Sequence, residues 1–61
     1  MSLSFQVVIR GSNGHELDRG DIHTYSVDDH NSAIIVRNAL SDIMSNHIFM
    51  IGDSITIEEV E

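Results

Sequence analysis

The absence of cysteine from a chain of only 61 residues is the feature that most constrains how this sequence folds. A chain of this length buries only about 60% of the surface of its unfolded form, and one core this small seldom supplies more than a few kcal/mol. Domains of this size compensate with disulfides, a bound metal or self-association. Disulfides are excluded here and the metal ligands are poorly spaced. The sequence therefore predicts one small domain, residues 1–61, that forms homo-oligomers.

The charge balance narrows the classes of partner. Ten acidic residues face three arginines and no lysine, which gives a formal net charge of −7 at pH 7. Binding to nucleic acid phosphates or anionic lipid needs basic side chains that displace counterions, so we expect no direct nucleic acid binding and no membrane binding. No apolar run approaches the roughly 18 residues of a membrane span, and no secretion signal is recognisable, so we expect a cytoplasmic protein.

The first strand is predicted from Leu3 to Arg10. Apolar residues alternate with polar ones along it, which is typical of a strand with one buried face. Val8 breaks the alternation and puts an apolar side chain on the outer face. The Gly-Ser-Asn-Gly segment at 11–14 then predicts a turn.

Two hairpins compete after this turn. A tight one pairs the first strand with residues 15–19, which carry three charges, and a longer one pairs it with residues 22–27. We favour the longer hairpin because its register collects apolar and amphipathic pairs on one face. The predicted pairs are Ile9 with His23, Val7 with Tyr25, and Phe5 with Val27.

A helix is predicted from Asp28 to about Asn46. Asp28 is the expected cap, and Asp29 suits the positive end of the helix dipole. The 3.6-residue period gathers one broad apolar face, which His47 continues. Its members are Ile35, Val36, Ala39, Leu40, Ile43 and Met44. Ile34 falls on the opposite, polar side.

A short apolar stretch, residues 48–51, and a Gly52-Asp53 turn lead to a last strand over residues 54–58. The predicted fold is therefore α+β, with the element order strand–strand–helix–strand. A right-handed crossover through the helix places the last strand antiparallel beside the first. The sheet is three-stranded, mainly antiparallel, in the order 2-1-3, with the helix on one face.

This arrangement leaves the other face of the sheet uncovered. Exposed apolar surface and open strand edges are the features that partner contacts use. The candidate contact residues are Val8, Ile22, Ile34, Phe49, Met50 and Ile51.

Few residues are candidates for metal binding or catalysis. The segment from His15 to His23 holds the densest set of metal ligands, with His15, Asp21 and His23 as the weak candidates, but their spacing fits no compact metal motif. Arg19-Gly20-Asp21 is interpreted as a turn. Ser54 lacks a scaffold large enough to hold a histidine base and oxyanion donors around it. We therefore expect no catalytic residue, no cofactor and no enzyme activity.

Glu58, Glu59 and Glu61 form a strongly negative end that begins at the last residue of this strand. The sequence as a whole predicts a small acidic interaction module that acts as a homo-oligomer and binds a protein or peptide. The alternative is an inhibitor of the phage or mobile-element type, whose acidic surface imitates nucleic acid and blocks a basic site on a protein partner. A metal-binding protein is the third interpretation.

Overall fold

The first strand is the element around which the whole sheet is built. In a computed structural model that describes residues 1–28 and 31–61, the elements are β1 (Ser2–Arg10), β2 (Glu16–Arg19), β3 (His23–Ser26), α1 (Ser32–Ser45) and β4 (Ser54–Val60). Strand β4 runs antiparallel along one edge of β1. Strands β2 and β3 follow one another along the other edge, also antiparallel. The α+β class, the placement of the last strand beside the first and, among the described residues, a single helix are confirmed.

The second edge of β1 differs from the prediction because it accepts two short strands. Residues 16–19, set aside as a poor strand, form β2 through the tight turn, where Gly14 has φ +84° and donates its N–H to the Gly11 carbonyl at 2.9 Å. Strand β2 occupies the edge beside Val8, Ile9 and Arg10. Strand β3 is therefore displaced towards the start of β1.

The predicted register between β1 and β3 is consequently wrong. Phe5 pairs with His23 and Leu3 with Tyr25, a shift of four positions along β1 from the expected pairs. The Phe5 ring stacks on His23 at a centroid distance of 5.5 Å and meets Tyr25 edge-on at 5.8 Å. These ring contacts give the displaced register its own apolar pairs.

The core lies between β1 and α1. Phe5, Val7 and Ile9 point to the helix side of the sheet, where Ala39 and Ile43 cover them. Five partly buried residues complete this layer: Tyr25, Ile35, Val36, Leu40 and Ile55.

The helix packs on β1 and β3 rather than centrally over the sheet. Met44, at the margin of the predicted apolar face, consequently remains 47% exposed. The rest of that face is confirmed.

The helix also begins later than predicted. Asn31 is its N-cap residue, and the Asn31 carbonyl accepts hydrogen bonds from the backbone N–H of Ile34 at 3.0 Å and of Ile35 at 3.1 Å. Asp28, the expected cap, instead lies 4.0 Å from the amino group of Met1, with both side chains exposed. Asp29 lies outside the described residues.

Candidate functional site

The outer face of the sheet carries a charged network that we call the arginine cluster: Gln6, Arg10, Glu16, Arg19 and Glu58. The Arg10 Nη2 donates to Glu58 Oε2 at 2.6 Å. The Arg19 guanidinium donates to Glu16 Oε1 at 2.7 Å, to Gln6 Oε1 at 3.0 Å and to Glu58 Oε1 at 3.5 Å. The cluster therefore joins β2, β1 and β4 across the sheet.

Val8 lies beneath this cluster. It is 0% exposed, although the sequence places it on an uncovered face. Its neighbours across the two edges of β1 are Arg19 and Thr56. Arg10 and Glu58 belong to register pairs on either side of the Val8–Thr56 pair, so their ion pair passes over Val8. The expectation that Val8 is open to a partner is wrong, because long side chains cover it with their aliphatic stems.

The arginine cluster also changes the charge of the acidic last strand. The hydrogen bond from Arg10 holds the pKa of Glu58 below its ordinary value of 4.5, and the hydrogen bond from Arg19 does the same for Glu16. The Glu16 hydrogen bond in turn raises the pKa of Arg19. Glu58 is thus a paired carboxylate. Only Glu59 and Glu61 of the predicted acidic surface are exposed.

The most exposed apolar surface is residues 48–51, which we call the apolar turn. Ile51 is fully exposed, Ile48 and Met50 are largely exposed, and Phe49 is more than one-third exposed. Side chains of this type are normally among the most buried in a folded protein. Contiguous exposed groups of such side chains are typical of contact surfaces in other proteins.

Hydrogen bonds fix the backbone of the apolar turn. The Asp53 N–H donates to the Met50 carbonyl at 3.0 Å, and the Met50 N–H donates back to Asp53 Oδ2 at 2.9 Å. Gly52 supplies φ +97°, as a turn of this kind requires at its third residue. The same Asp53 oxygen lies 3.4 Å from His47 Nε2, and the His47 ring meets Phe49 edge-on at 4.7 Å. The exposed side chains are therefore held on an ordered frame.

Two further predicted contact residues are exposed but belong to other elements. Ile22 lies in the connection between β2 and β3, and Ile34 lies in the first turn of α1. Sequence reasoning missed Ile57 of β4, which is about half exposed because the helix packs on β1 and β3 instead. Ile57 alternates with Thr56 along the strand, and only the position of the helix shows that its side chain is half exposed.

A cavity of about 240 Å³ opens between α1 and the connection from β2 to β3. Asp18, Asp21, His23 and Asp42 contribute polar groups to its wall, and Ile43 contributes apolar surface. No set of three or more His, Asp or Glu side chains within residues 1–28 and 31–61 is arranged to hold a metal ion. The weak metal candidates Asp21 and His23 thus share the cavity, while His15 lies exposed at the β1–β2 turn.

Comparisons with known proteins found no match: no family model, no curated protein and no solved structure matches this chain. Among the described residues, no helix has the length and apolar character that crossing a membrane requires.

Proposed function

We propose that this chain is a small acidic interaction module that acts as a homo-oligomer, most simply a two-fold dimer, and binds a protein or peptide. The observation that carries the proposal is the apolar turn, an ordered frame that holds Ile48, Met50 and Ile51 in solvent. The proposal includes a cytoplasmic location, with which a chain lacking cysteine is compatible.

The energetic argument favours binding at the apolar turn. Burying one isoleucine or methionine side chain contributes about 1.5–3 kcal/mol. Association also has a cost, part of which is the ordering of mobile loops. Because the turn is already closed by the hydrogen bonds between Met50 and Asp53, less ordering is needed when a partner binds.

The argument for self-association is the small core. Within residues 1–28 and 31–61, six hydrophobic residues are buried, namely Phe5, Val7, Val8, Ile9, Ala39 and Ile43. Any surface that a second copy buries adds to the stability of the folded state by mass action. The side chains of Ile57 and Met44 are both about half exposed, so a second copy can bury their apolar surface.

Sedimentation equilibrium over about a hundred-fold range of concentration tests the homo-oligomer. We expect a mass above the 6.8 kDa of one chain and a melting temperature that rises with concentration. A single species of monomer mass, with a melting temperature independent of concentration, would contradict this part of the proposal.

The alternative function, an acidic imitation of nucleic acid by a phage or mobile-element inhibitor, has less support. It rests on a continuous negative surface, and Glu58 of β4 is paired with Arg10 and Arg19 of the arginine cluster. Salt separates the two interpretations. Binding of a basic partner through charge weakens steeply as ionic strength rises, whereas contact through the apolar turn does not.

A further inference from the structure

The outer edge of β4 is free to pair with another strand. Among the described residues, β4 pairs with β1 alone, through seven consecutive register pairs from Ser54 to Val60. A register shift interrupts the pairing of β1 with β2, but none interrupts β4. A regular, unpaired strand of this length presents a row of free backbone donors and acceptors.

The backbone direction at β1 identifies which groups face β4. In a strand, the N–H and C=O of one residue point to the same side, and those of the next residue point to the other side. The Val7 carbonyl accepts a hydrogen bond at 2.9 Å from the N–H of Gly20, which follows β2. The backbone groups of Val8 therefore point to the opposite side, towards β4.

The same alternation identifies the free groups of β4 itself. Thr56 is the register partner of Val8, so its N–H and C=O point towards β1. The N–H and C=O of Ile55, Ile57 and Glu59 consequently point away from β1, to the open edge. The half-exposed Ile57 side chain thus lies on the same residue as a free donor and acceptor.

We infer that two copies of this chain pair antiparallel through their β4 edges and form one continuous sheet across a two-fold axis. This inference rests on the proposed homo-oligomer and assigns its contact surface. A two-fold axis perpendicular to the sheet places each residue opposite a residue of the same face in the partner, which preserves the helix side of both sheets.

Charge disfavours one register of this pairing. An axis at Thr56 places Ile55 opposite the partner's Ile57, and an axis at Ile57 places Ile57 opposite its own copy. An axis at Glu58 would set two carboxylates directly opposite, which is destabilising. Of these three registers, the first two keep carboxylates from facing each other within β4.

The arginine cluster reduces the charge repulsion that opposes pairing at the β4 edge. Glutamates on an edge strand ordinarily discourage pairing. Here Glu58 is held by Arg10 and Arg19 of its own chain, so its charge is compensated before a second copy arrives. The remaining repulsion comes from the net charge of −7 on each copy, and salt screens it. We therefore expect salt to tighten the dimer.

A matched pair of proline variants tests the edge. Ile57→Pro removes an N–H that points outward and leaves the ladder with β1 complete, whereas Thr56→Pro removes an N–H that points to Val8. We expect Ile57→Pro to be a folded monomer by sedimentation and circular dichroism. Thr56→Pro should lose its fold at a much lower temperature than the parent. If Ile57→Pro fails to fold, Ile57→Lys is the deciding variant. It places the lysines of the two copies directly opposite each other or close together on either side of the axis, and their like charges oppose the pairing.

Single cysteines map the contact directly, because the natural chain has none. Facing residues in an antiparallel pair have Cα atoms about 4.5–5.5 Å apart, within the span of a disulfide. We expect Thr56→Cys or Ile57→Cys to give a covalent dimer on oxidation, depending on which register forms. Ile51→Cys, at the tip of the apolar turn, is the control for contact through the other surface and should remain uncrosslinked.

The outcomes separate this inference from the proposal on which it rests. Pairing of β4 is supported by three results together: a dimeric parent, a monomeric Ile57→Pro variant, and cross-linking at position 56 or 57. Where the proline variant does not fold, a monomeric Ile57→Lys variant takes its place. A dimeric parent that cross-links only at Ile51, or a deciding Ile57 variant as dimeric as the parent, overturns the edge pairing and leaves the homo-oligomer intact. A parent that is monomeric at every concentration overturns both.

Discussion

Removing the buried end of Ile43 tests whether the helix packs in the orientation described. Ile43 is 6% exposed, belongs to the core with Phe5, Val7 and Ile9, and extends its Cδ1 to within 3.7 Å of the point where a side chain on Gly20 would begin. Truncation of a buried isoleucine to alanine costs about 2–5 kcal/mol. A chain of this length has a total free energy of unfolding of about 3–9 kcal/mol, at roughly 0.05–0.15 kcal/mol per residue. Ile43→Ala should therefore remove about half of the stability.

The neighbouring residue supplies the control. Met44 lies at the margin of the same helix face and is 47% exposed, so Met44→Ala should cost less than about 1 kcal/mol. Urea unfolding followed by far-ultraviolet circular dichroism, at one fixed protein concentration, gives both values. Equal losses at the two positions, or a larger loss at Met44, would refute the packing of α1 on β1 and β3.

Three further perturbations test the turns and the arginine cluster. Gly52→Ala should destabilise the chain more than Gly14→Ala, by about 1 kcal/mol or more in urea unfolding. Both glycines have positive φ, but of the two only Gly52 has a close neighbour: a Cβ there would lie 2.8 Å from Ser12 Cβ. Asp53→Ala should cost about 0.5–1.5 kcal/mol by the same measurement, since it removes the exposed hydrogen bond from the Met50 N–H that helps to close the apolar turn. Because the pKa of Glu58 is lowered from 4.5, its contribution is present above that pH and is lost as the pH falls below it. Thermal melts should thus be unchanged from about pH 7 to about pH 5 and fall below about pH 4.5, less steeply in Glu58→Gln.

The sequence predicts those elements in which apolar side chains recur with a clear period. Strand β1, the helix face and β4 follow from such repeats, and so does the fold class. Strand β2 was considered and set aside because Glu16–Arg19 is short and mostly charged, and its place in the sheet comes from the tight turn before it. Once β2 is set aside, the register of β3 on β1 is wrong as well.

The candidate surfaces were predicted less completely, for a different reason. The exposure of Ile51 follows from an apolar residue next to a Gly-Asp turn, and the sequence contains that signal. The burial of Val8 depends on Arg10 meeting Glu58, a residue 48 positions away, which no local pattern shows. The exposure of Ile57 likewise depends on where the helix lies above the sheet. Long-range contacts of this kind arise only in the folded chain.

The central position of β1 has a consequence for the order in which the molecule folds. Its pairing with β2 closes a short loop, but its pairing with β4 joins Ser4 to Val60 and Arg10 to Ser54, across nearly the whole chain. Closing a long loop costs entropy before any contact compensates for it, so pairing of this kind forms slowly. We therefore expect the β1–β2 hairpin to appear early and β4 to dock last. Until it docks, the most apolar strand of the chain has one bare edge, which is the interval when aggregation competes with folding.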